Sequence, residues 1–157
     1  MIESRGEEER IKTEAQSNLI AYWASLRLGE DLPHRGAFDP GAVLRYLCDI
    51  TVLEFMEDGQ LNCRLESAAM KSRLSASDIL ASRRLGLRLL LEKQCPVAGV
   101  ASTPYGAHHW LRLPLLSTCR DRLVILCHDE FVAERSDLKS NPAYFDGLSS
   151  HLVELAA

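Results

Sequence analysis

Two pairs of adjacent residues carry the side chains with the most chemical reach in this chain, His108-His109 and Cys127-His128. Imidazole and thiolate are zinc ligands, and a histidine oriented by a carboxylate is a common general base. Both pairs fall on predicted strands. Neighbours on a strand point to opposite faces, so one member of each pair at most can serve a given site. The chain contains neither Cys-x-x-Cys nor His-Glu-x-x-His, and no metal ligand set is assigned. Serine, histidine and aspartate occur, but not as G-x-S-x-G, and there is no glycine-rich phosphate loop. These residues fit a protein that binds rather than one that catalyses, so no enzyme activity is expected.

The segment from Arg64 to Lys93 holds seven Lys or Arg against Glu66, Asp78 and Glu92, with Arg84 and Arg88 one helical turn apart. A solvated helix face is the ordinary reading. Docking of an acidic partner, such as the "EEER" segment of another copy, is the sharper one. The segment has no aromatic residues on which bases could stack, and the whole chain carries a net charge of -4, so no nucleic acid is expected as partner. No apolar run approaches the roughly 20 residues that span a bilayer, and no membrane association is expected. The start, "MIESRGEEER", lacks an apolar signal core, and the five cysteines are scattered. Both points favour reduced thiols and a cytoplasmic location.

Apolar spacing shows how the chain would position these side chains. Residues 1–10 have no apolar period and read as disordered or as a frayed helix start. Ile11, Ala15, Leu19, Tyr22 and Leu26 then recur at helical spacing, and Trp23 widens the face. Tyr22 and Trp23 point about 100° apart and cannot follow one narrow stripe. Leu19, Tyr22, Trp23 and Leu26 are therefore candidate interface residues. Gly29 stops the helix. In "LPHRGAFDP", Asp39 suits an N-cap and Pro40 the first helical position, so a short helix is predicted near residues 40–48.

The period then changes to two. "ITVLEFM" and "QLNCRLESA" flank Glu57-Asp58-Gly59, a three-residue hairpin loop with Gly59 in the left-handed position. That register sets Thr51, Leu53 and Phe55 on one face with Leu61, Cys63 and Leu65, and leaves Glu54 and Glu66 outward. "SASDIL" reads as a serine-capped helix. "SRRLGLRLLLEKQ" reads as a longer one with Leu87, Leu90 and Leu91, weakened by Gly86 and closed by Pro96. Three strands follow: "VAGVASTPYG", "HHWLRLPLL" and "RLVILCHDEF". A turn over Thr118–Asp121 makes Leu111, Leu113 and Leu115 face Val124, Leu126 and His128. From Pro142 onward a last helix is predicted, with Leu148, Leu152 and Leu155 as its stripe. Two strands, helices and three strands give an α+β five-stranded antiparallel sheet with helices on one face, plus N-terminal and C-terminal helices. The division is residues 1–31, 32–135 and 136–157.

The stretches "AYWASLRLGEDLPHRGAFDP", "TVLEF", "CRLESA", "KQCPVAG" and "WLRLPLL" resemble a short bacterial PAS-like domain family, of alphaproteobacterial type, whose members begin with a Tyr-Trp helix. The resemblance runs over roughly Leu19 to Phe131. The chain departs from it in "ESAAMKSRLSASDI", which has no glycine where the family usually has several, at the border of the ligand cavity. The resemblance implies a stand-alone sensory or regulatory module acting through a small ligand or a protein partner. It points to no particular cofactor. Self-association as a homodimer is expected through the terminal helices. With the inferred register, His128, Leu111, Leu113, Leu126 and Phe55 are the candidate ligand-binding residues. The alternative is a structural adaptor or oligomerisation domain with a filled core and no ligand.

Overall fold

The structure, a computed structural model, describes residues 11–27, 29, 31–104, 106–117, 122–133, 142–146 and 149–152. Helix α1, Glu14–Leu26, opens with a capping box: the Thr13 hydroxyl accepts from the Gln16 N–H, and the Gln16 side chain accepts from the Thr13 N–H. A 3-10 turn, Arg35–Ala37, leads to α2, Pro40–Val43, which runs on as a 3-10 segment, Leu44–Asp49. The Asp39 cap forms as the sequence predicts, accepting from Gly41 N–H at 3.0 Å with Pro40 at the first position.

Strands β1, Ile50–Phe55, and β2, Leu61–Leu65, make the hairpin. Helices α3, Ala68–Arg73, α4, Ala76–Ser82, and α5, Leu87–Lys93, follow. Ser67 caps α3 and Ser75 caps α4. Strands β3, Val97–Thr103, β4, Gly106–Leu116, and β5, Leu123–Val132, complete a five-strand unit. Two further strands, β6, Ala143–Asp146, and β7, Ser149–Leu152, extend it. The sheet order is β2-β1-β5-β4-β3-β6-β7, antiparallel throughout.

The inferred β4–β5 register is observed, and the inferred β1–β2 register holds from Phe55 to Leu53. Phe55 pairs with Leu61 and Leu53 with Cys63, across a loop in which Gly59 has φ 84°. A bulge between Val52 and Leu53 then shifts the pairing by one residue. Leu111, Leu113 and Leu115 pair with His128, Leu126 and Val124, although the turn residues 118–121 lie outside the described residues.

Three expectations are corrected. Where the tail is described, it forms the paired strands Ala143–Asp146 and Ser149–Leu152 and not a helix. Ala143 and Phe145 are buried while Tyr144 between them is half-exposed, a period of two that answers the open edge of β3. Leu148 and Leu155 of the expected stripe lie outside the described residues, as do residues 1–10. Glu54 does not face outward into water. Arg64 reaches it at 2.7 Å and Arg122 at 3.4 Å, and these bonds, led by the one from Arg64, hold its carboxyl below the ordinary range. The segment after Ser82 is not one long helix: it breaks at residues 83–86, and Gly86, at φ 72°, starts α5.

The sheet is covered on both sides. Helices α3–α5 lie on one face, over Leu53, Trp110, Ile125 and Cys127, with Leu90 from α5. Helix α1 lies on the other and adds Leu19, Ile20 and Trp23 to Leu111, Leu113, Leu115, Val124 and Leu126. Trp110 explains two glycines. A Cβ on Gly99 would stand 2.3 Å from its indole, and one on Gly86 would stand 2.5 Å away. Pro114, inside β4, costs the ladder nothing. Its missing N–H would point to the side on which the Leu116 N–H already leaves the sheet for the Pro33 carbonyl. On that side Trp23 Nε1–H donates to the Pro114 carbonyl at 2.7 Å.

Candidate functional site

On the face under α3–α5, the β4–β5 register sets Asp129 opposite Trp110, with His108 and Arg112 two residues to either side of it on β4. Asp129, at 1 % exposure, takes both diagonals: His108 Nε2 lies 2.7 Å and Arg112 Nη2 3.1 Å from its Oδ1. Arg112 also donates to the carbonyls of Ser82 and Leu111, both at 2.9 Å. The Ser82 carbonyl, at the end of α4, also accepts from the Leu85 N–H at 3.1 Å. Arg112 fastens this helix end to the sheet. Burial opposes charge on both partners, yet their mutual attraction outweighs it. Asp129 lies below the ordinary carboxylate value and Arg112 above the ordinary arginine value. A charged Asp129 oxygen only accepts, so His108 carries its proton on Nε2. The His108 ring stacks on Phe131 with centroids 4.6 Å apart.

Above this network opens a cleft of about 320 Å³ whose lining includes Leu74, Asp78, Ser82, Leu85, Thr103 and His108. Of the network, His108 and Ser82 reach it. Deeper in, beside Arg112, Asp129, Met70 and Glu66, a cavity of about 10 Å³ has room for roughly one water. Arg112 Nε is buried there without a partner among the described residues.

The candidates named from sequence divide. His128, Leu111, Leu113 and Leu126 do come together, but on the face packed by α1, where they are core. Phe55 sits half-buried on the opposite face of β1, near the hairpin, and joins none of them. His128 is fully buried. Gln16 Nε2 lies 3.2 Å from its Nδ1, and the ring's Nε2 has no hydrogen-bond partner among the described residues, with Asp49 Oδ2 at 3.9 Å. Burial lowers the His128 pKa below its ordinary value. Of the interface candidates, Leu19 and Trp23 are covered by the chain's own sheet, so they cannot also serve an interface in the folded chain. Tyr22 is half-buried: its hydroxyl accepts from Asp39 N–H at 2.9 Å and its ring meets Phe38. Leu26 is half-exposed.

Asp129 and Arg112 are absent from the sequence-derived site. One signal marked them: Arg112 stands among leucines in "WLRLPLL" and Asp129 follows "ILCH", both in strands too apolar to leave a charge unpaired. His108 and His109 divide as adjacent strand residues must. His109 Nδ1 meets the Ile11 carbonyl at 2.9 Å on the α1 face. Among the described residues no group of three or more His, Cys, Asp or Glu is placed to hold a metal. No helix among them is long and apolar enough to cross a membrane.

A family model described as PAS domain matches residues 11–90, about half of the 157-residue chain. The match includes α1 and ends within α5. No curated protein and no solved structure matches the chain.

Proposed function

The chain belongs to the PAS domain family, a family of generally sensory and regulatory modules, and from that premise we propose that it responds to a small ligand held in the cleft over His108. The observation that carries this reading is the fixed imidazole. Asp129 holds one ring nitrogen, Phe131 holds the plane, and Arg112 balances the charge behind. A pre-oriented ring in a cleft walled by Leu74, Leu85 and Pro104 suits a compact, partly apolar molecule with one hydrogen-bonding group. The volume is at the small end of ligand sites, which run from about 300 Å³. Binding there would bear on α4, because His108, Asp129, Arg112 and the α4 terminus are linked in series. A ligand that prefers one setting of α4 would shift the population of that setting.

A second reading rests on a different observation. Beneath the cleft, Trp110, lying against Gly86 and Gly99, and the Arg112–Asp129 pair fill the space between helices and sheet and leave there a cavity of about 10 Å³. A module filled in this way would act as an adaptor for a protein partner or a second copy. Native mass spectrometry of the full chain separates the two readings. The sensor predicts retained small-molecule mass, or a thermal upshift with a compound from a metabolite panel, lost in His108→Ala. The adaptor predicts bare protein or a higher oligomer, and no compound that shifts wild type but not His108→Ala.

A further inference from the structure

On the sheet face opposite the cleft, Gln16 performs two tasks with one amide. Its Oε1 accepts from Thr13 N–H and so closes the capping box of α1. This fixes which way the amide points. Its Nε2 then donates into the sheet, to the His109 carbonyl at 3.0 Å and the His128 carbonyl at 3.4 Å, and faces His128 Nδ1 at 3.2 Å. An amide nitrogen only donates, so Nδ1 must be bare. The proton of the neutral ring then sits on Nε2, fully buried, without a hydrogen-bond partner among the described residues, and 3.9 Å from Asp49 Oδ2. A second proton on this ring would set two donors against each other at Nδ1. Turning the amide over would relieve that clash. It would also break the capping box and take the donor from the His109 carbonyl.

We propose that His128 is a proton-operated latch on α1: the docked helix requires a neutral ring, and protonation drives Gln16 off the sheet. Asp49 is placed to receive the Nε2–H of the charged ring. Among the described residues, groups face the ring from several elements. Tyr46 and Asp49 come from the 3-10 segment, Gln16 from α1, the His109 carbonyl from β4, and Glu130 from its own strand. Asp129 and Arg112 act from across the sheet. Burial is the first cause holding the docked ring below its ordinary value of 6.5, with Arg112 a smaller one. A released ring returns toward that value, so docking is complete above it and is lost as pH falls below it. The latch is independent of whether the His108 cleft holds a ligand.

The test uses the full chain without ligand. Ring-nitrogen NMR follows His128. Amide exchange of residues 14–26, corrected for the intrinsic effect of pH, follows α1. Protection of α1 should fall by up to about tenfold per pH unit below the ordinary histidine range, while β4 and β5 stay protected. In Gln16→Glu the carboxylate accepts from the charged ring. His128 should then titrate at higher pH, and acid should no longer loosen α1. His128→Gln should remove the acid response altogether. Unchanged α1 protection through the His128 titration overturns the proposal. So does loss of β4 and β5 together with α1, or an acid response retained in His128→Gln. If His128→Gln does not fold, the opposite pH trends of wild type and Gln16→Glu decide.

Discussion

Asp129 is the residue on which the buried charges depend. Removing its charge leaves the Arg112 guanidinium fully buried with only carbonyl partners, and breaking such a pair costs about 3–5 kcal/mol. Asp129→Asn should therefore lower the urea midpoint sharply. The double change Arg112→Met with Asp129→Leu should recover much of the loss, because no charge is then left unpaired. The same pair sets the acid limit of the fold. The Asp129 pKa is depressed in the folded chain, so its contribution is complete above its ordinary value of 3.8 and is lost as pH falls through the lower, folded value. The His128 window lies higher, beneath 6.5. Acid titration should show α1 loosening first and the sheet failing only later. Far-UV and near-UV circular dichroism across both windows checks the order.

At the scale of elements, α1 is a cover for one sheet face and not an appendage. Ile11, Leu19, Ile20 and Trp23 are at most 2 % exposed, all through contacts within the chain. Deleting residues 1–28 should uncover Leu111, Leu113 and Leu126, leaving a sheet that stays folded but aggregates through its bared face rather than a tidy monomer. Light scattering and circular dichroism of the truncated chain test this. The Asp39 cap is a smaller matter: Asp39→Ala should cost on the order of 1 kcal/mol, read as a shift in denaturation midpoint. The elements also show what could be read in advance. Gly59 led to the register of one hairpin as far as the bulge after Val52, and the turn signal at Thr118–Asp121 led to that of the other, in which Leu111, Leu113 and Leu115 meet His128, Leu126 and Val124. The tail was ambiguous. Its leucine spacing suits a helix, and the strand wins through the open edge of β3, a long-range partner that local spacing does not contain. Gly86 looked like a flaw in a helix until Trp110, from a distant strand, accounted for it. The cleft itself was not legible: Leu111, Leu113, Leu126 and His128 share one face, but it is the core under α1, and which helix covers which face is a tertiary fact.

For the whole molecule, the sheet order has a cost in time. β1 has no neighbour but β2 until β5 exists, and the residues it pairs with there lie roughly 70–80 positions later in the chain. Trp23 and Gln16 wait still longer, for partners 91 and 112 positions away. A chain emerging from the ribosome thus presents α1 and the first hairpin well before anything can cover them. The stretch that matches the family, residues 11–90, holds none of β3–β5 and cannot close a core alone. Such non-local pairing makes folding slow and leaves apolar surface open meanwhile. The last two core strands to be synthesised, β4 and β5, are the ones every other layer needs. Folding of this module is therefore a late, nearly all-at-once event, and chaperone demand during synthesis follows from the strand order alone.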